Sequence, residues 1–158
     1  MRGLVFGVMV TLVACSNLAG STTTSGLPES EPAQLIAELG AAGIDAAQVD
    51  TFSSDPLGGD GLLVCLGAQE LRVYLFPSDH AAAAAAARID PEDPSNLGSA
   101  MVAWAGRPRF WLRGPMLVLY LGEADDTEHL LTDILEEPIA RASGPGRGVP
   151  GVPGQCEG

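Results

Sequence analysis

The chain has no lysine and only two histidines, His80 and His129, and eight arginines are its whole basic complement. Against them stand 20 acidic residues, for a formal net charge of -12. Such a chain repels phosphate backbones, which argues against nucleic acid as a partner. It also disfavours broad docking on anionic lipid, so any hold on a membrane must come from something other than a basic patch. No hydrophobic run reaches the roughly 20 residues that cross a bilayer as a helix. There is no Gly-x-Ser-x-Gly elbow to present a nucleophile. Ser78-Asp79-His80 holds the residue types of a triad. They are compressed onto one helix start, where serine reads as an N-cap and aspartate as a favourable charge at the helix N-terminus. The sequence therefore offers no catalytic residue. Hydrophobic residues still make up 46% of the 158. That is enough for one domain with a buried core, and too much for a disordered acidic chain.

The strongest signal lies at the N-terminus. Arg2 and the terminal amine give a short positive start, and residues 3–14 follow without a charge. That length matches the apolar region of a signal peptide, about 7–15 residues. The run ends in Leu12-Val13-Ala14-Cys15, which resembles the lipobox of bacterial lipoproteins: a branched apolar residue, a tolerant position, a small residue and cysteine. The resemblance implies that a transferase places diacylglycerol on the Cys15 sulfur and that a peptidase then cuts before Cys15. One acyl chain binds a bilayer only marginally, at about 0.8 kcal/mol per buried methylene, whereas two or three anchor firmly. Residues 1–14 are thus expected to be a signal peptide, and residues 15–30 a lipidated cysteine with a flexible tether of small polar residues reaching about 20 Å. Residues 143–158, rich in glycine and proline, are expected to form a mobile tail.

Between these ends, residues 31–142 read as an α+β domain. Leu35, Ile36 and Leu39 have helical spacing, and Gly40 and Gly43 stop that helix. Residues 44–60 are ambiguous: 47–52 is compatible with a short strand but is not counted as one, and 55–59 reads as loop. Residues 62–66 and 71–76 suit a hairpin, with Leu71, Val73 and Leu75 on one face and Arg72, Tyr74 and Phe76 on the other. Ser78 caps a helix over 79–88 whose alanine run favours helix and permits close approach to a sheet. Residues 101–104, 109–113 and 116–121 read as three more strands. The last is nearly all apolar, which places it mid-sheet, covered on both faces. Asp125 and Glu128 resemble a capping box; Leu130, Leu131, Ile134 and Leu135 face inward, and Pro138 ends the helix. Short links imply antiparallel pairing. The expectation is a five-stranded, mainly antiparallel sheet packed with about three helices.

Residues 98–140 also resemble a set of small uncharacterised bacterial lipoproteins. The shared pattern is Trp104, then Gly106-x-Pro108-x-Phe110, Arg113-Gly114, and an apolar strand ending Tyr120-Leu121-Gly122. The resemblance implies a fold and an anchored location, and carries no catalytic residue. Arg109 stands where that pattern leads one to expect histidine, which removes a metal donor.

Three groups carry what chemistry there is. Trp104, Arg109, Phe110, Trp111, Arg113 and Tyr120 concentrate aromatic rings and guanidinium groups on strands. These are the residue types of a binding surface and equally of a sheet core with arginines over rings. We expect Trp104 in the core and Trp111 at least partly exposed, with Arg109, Arg113, Phe110 and Leu112 on the opposite face. Asp125, His129 and Asp133 share a helix face and offer the alternative of a metal-dependent enzyme; acids also favour a helix N-terminus and a solvated face, so we expect no metal and no other cofactor. With Cys15 taken by lipid, Cys65 and Cys156 either pair, closing a loop of about ninety residues for roughly 2–4 kcal/mol, or remain free thiols. The expected partners are the membrane, through the anchor, and an envelope protein or small ligand.

Overall fold

A computed structural model describes residues 30–143 and Cys156. The expected signal peptide, Cys15, the expected tether apart from Ser30, and the expected tail apart from Ser143 and Cys156 lie outside the described residues. In chain order the elements are α1 (Ser30–Ala41), β1 (Ala46–Phe52), β2 (Asp60–Leu66), β3 (Gln69–Leu75), α2 (Asp79–Ala86), β4 (Arg109–Arg113), β5 (Met116–Tyr120), α3 (Asp125–Leu135) and β6 (Ala140–Arg141). The class is α+β: one antiparallel sheet of six strands in the order β1-β2-β3-β5-β4-β6, with three helices.

Two tight hairpins set the register. Leu66 pairs with Gln69 across Gly67-Ala68, and Arg113 pairs with Met116 across Gly114-Pro115. Gly67 and Gly114 take φ of 58° and 52°, a left-handed backbone that side chains with a Cβ disfavour. The chain then threads β5 between β3 and β4, with Val73 opposite Val118 on one side and Trp111 opposite Val118 on the other. All five residues of β5 are buried, as its apolar sequence demands.

Alternation divides the core in two. Leu71, Val73 and Leu75 join Val64, Leu66, Trp111, Met116, Val118 and Tyr120 beneath Leu35 and Leu39 of α1 and Leu131 and Leu135 of α3. Tyr74, Phe76, Phe110, Leu117 and Leu119 face the other way, onto Ala82, Ala85 and Ala86 of α2 and onto Leu97 and Trp104. The sheet is thus sandwiched, with α1 and α3 on one face and α2 on the other. Alanine on α2 lets that helix lie close to large rings. Ser78 caps α2, its hydroxyl accepting from Ala81 N at 3.2 Å.

Three expectations change. Residues 101–104 form no strand; only an isolated bridge joins Met101 to Asn96, while the Trp104 indole N–H donates to the Pro94 carbonyl at 3.0 Å. The strand count rises from five to six because β1 and the two-residue β6 belong to the sheet. Helix α3 has Ala124 at its N-cap with no side-chain cap, and it ends before Glu136 (φ 71°), ahead of Pro138.

Arg113 ties α1 to the sheet through two contacts with Glu38, one of them Nη2 to Oε1 at 2.9 Å. The guanidinium beside it pulls the Glu38 carboxyl from 4.5 down to about 2. A depressed folded-state pKa gives stability that is present above about pH 4.5 and is lost as pH falls toward 2. Glu38 is about a third exposed, so solvent screens the pair. Glu38→Gln should cost about 0.5–1 kcal/mol at pH 7 by chemical denaturation. The loss should shrink toward zero as pH falls through that window.

Candidate functional site

The six residues singled out from the sequence are divided between the two faces of the sheet, and five of them are buried. Trp111, Phe110 and Tyr120 are 0% exposed, Arg109 1% and Trp104 8%. Only Arg113 keeps a partly exposed side chain, at 23%. The expectation that Trp111 lies at least partly at the surface is therefore corrected. So is the placement of Arg109 and Arg113 opposite it. Residues i and i+2 on a strand share a face, so Arg109, Trp111 and Arg113 all point toward α1 and α3, and Phe110 and Leu112 point toward α2. Trp111 is roofed by those helices and its indole N–H has no protein acceptor.

At one end of this face sits a buried ionic cluster. The Arg109 Nε contacts Glu128 Oε2, and Glu128 Oε1 lies 3.0 Å from Arg141 Nε. Arg109 Nη1 donates to the Gly122 carbonyl at 2.6 Å, and its guanidinium carbon lies 5.5 Å from the centre of the Tyr120 ring. Arg109 comes from β4, Glu128 from the first turns of α3 and Arg141 from β6, so the cluster pins helix and edge strand to the sheet. Burial pulls the Arg109 guanidinium below its ordinary value, and the Glu128 carboxylate opposes that pull. Burial also raises the Tyr120 phenol, whose hydroxyl donates to Gln69 Oε1. The absence of a side chain at Gly122 makes room for this phenol, because a Cβ there would overlap the Tyr120 ring and hydroxyl.

Glu128 takes a role that its capping-box spacing did not indicate. Its real signal is the spacing Glu128, Leu131, Leu135, which puts the carboxylate on the buried stripe of α3. Asp125, His129 and Asp133 are exposed on the other side of that helix, and His80 is exposed on α2. Among the described residues, no group of three or more His, Cys, Asp or Glu side chains converges on a common point.

Cys65 and Cys156 are bonded to each other, with Cα atoms 5.3 Å apart and a sequence separation of 91. Both are buried, at 8% and 9%. Because Leu62, Val64 and Leu66 of β2 face α1 and α3, Cys65 points to the α2 side, and the bond fixes Cys156 there. At the sheet margin, β1 is exposed at its five central residues, with Val49 50% exposed. The β1–β2 register slips between Gln48 and Asp50, a bulge that blunts this edge against further strand pairing. No protein-family model, no curated protein and no solved structure matches this chain.

Proposed function

We propose that this is an exported lipoprotein, held on a membrane surface by lipid on Cys15, whose α+β domain is non-catalytic and serves as a binding or scaffold module in the cell envelope. The observation that carries the reading is Leu12-Val13-Ala14-Cys15 at the end of an apolar run of signal-peptide length. The Cys65–Cys156 bond supports it, since such bonds persist in oxidising compartments outside the cytosol. Among the described residues no helix is long and apolar enough to cross a membrane. The module reading is supported by how the polar chemistry of the chain is spent. Arg109 and Glu128 hold elements together, and His80 and His129 stand exposed on separate helices. Of the aromatic and arginine set, only Arg113 reaches the exterior where a partner would bind.

Cys15→Ala tests the anchor. The variant should incorporate no labelled fatty acid and should accumulate as uncut precursor. Continued lipid labelling at the N-terminus of that variant would refute the reading.

A further inference from the structure

Three cysteines and one disulfide leave Cys15 as the odd thiol. We propose that lipid transfer to Cys15 precedes the joining of Cys65 to Cys156 and directs it, so that the lipid is a thiol block as well as an anchor. The inference rests on the lipoprotein reading.

The wrong pairing is favoured by chain order and by closure. Cys15 and Cys65 are about 50 residues apart and are both made before Cys156, which follows Cys65 by 91 residues. Closure of the shorter loop is favoured roughly 2.5-fold by chain entropy. Topology does not prevent it either. Cys65 lies on β2, one strand in from the exposed edge strand β1, about 5 Å away. The 15 residues from Cys15 to Ser30 span up to about 50 Å when extended, ample to round that edge. In the finished domain both bonded cysteines are buried, so the partner must be chosen before the fold closes.

A thioether removes the competitor. In lipid transfer the Cys15 thiol gives up its proton, its sulfur bonds to the glyceryl carbon of a phospholipid, and the carbon–oxygen bond to phosphate breaks. The phosphate leaves with the bonding pair and accepts a proton. The resulting sulfur has no S–H and takes no part in exchange. The remaining two thiols then lose two protons and two electrons to the disulfide of a thiol-oxidising protein, which becomes a dithiol.

The test compares three exported chains after trapping free thiols and mapping disulfide peptides by mass. These are the wild type, residues 15–158 behind an ordinary secretory signal so that Cys15 keeps its thiol, and that chain with Cys15→Ser. We expect only Cys65–Cys156 in the wild type. We expect a Cys15-containing disulfide in roughly a third or more of the unlipidated molecules, and Cys65–Cys156 alone once Cys15→Ser is introduced. If the unlipidated chain shows clean Cys65–Cys156 with a free, trapped Cys15 thiol while the wild type carries lipid, lipid does not direct the pairing, so the proposal falls and the lipoprotein reading stands. If wild-type Cys15 itself is trapped as a free thiol, both fall.

Discussion

Glu128→Ala should lower stability by about 3–5 kcal/mol, although it removes one side chain from a helix with three acids in its first turn. The cost comes from what remains. Arg109 is 1% exposed, and Glu128 is the carboxylate set against its guanidinium. Without that carboxylate, the charge keeps carbonyl acceptors at Gly122 and Arg107 and the Tyr120 ring. These do not offset the desolvation of a full charge. Arg141, half-exposed, loses its partner at little cost because water replaces it. The paired change Arg109→Met with Glu128→Leu separates charge from volume. Replacing both partners by apolar residues of similar size should recover most of the loss, because neither charge is then buried alone. Urea denaturation followed by circular dichroism reads both, with the midpoint moving and the slope unchanged. A loss below 1 kcal/mol for Glu128→Ala would show that the cluster is solvated and not structural.

Trp111→Ala should cost a similar 3–5 kcal/mol. The ring is 0% exposed and lies between β5 and the helices α1 and α3, where truncation leaves a cavity bounded by groups that cannot all close in. Trp111→Phe should cost less, because it keeps most of the packing and deletes an indole N–H that has no protein acceptor. In single-tryptophan variants, a neutral quencher should find Trp104 and Trp111 both strongly protected, since Trp104 is 8% exposed and bonded to Pro94. A Trp111→Ala protein with an unchanged melting temperature would mean that the ring lies on a surface after all.

What was legible from sequence followed periodicity and local chemistry. Leu71, Val73 and Leu75 alternate cleanly, and their strand lies where alternation puts it. Ser78 precedes an alanine run and caps it. The apolar run 116–120 reads as the most covered strand and is so. What was hidden depended on distant residues. The span 101–104 has strand-like composition, but its indole is satisfied by Pro94 in a loop, and its neighbours gain no ladder. Strand β6 has only two residues, too few to show any alternation. Glu128 sits at a spacing compatible with a cap. Nothing within a few residues reveals that Arg109, on another element, will claim it. The six-residue aromatic and arginine set has a composition that suits core and surface alike. Only the register across β4 and β5 decides between them. Cys65 and Cys156 likewise left pairing open until the fold placed them 5.3 Å apart.

The proposal that this chain is exported and anchored is tested most directly at its own N-terminus. Protein extracted from membranes with detergent and digested should yield an N-terminal peptide that begins at Cys15 and carries the added mass of a diacylglyceryl thioether. A peptide that begins at Met1, or one in which Cys15 carries a free thiol, would contradict the account.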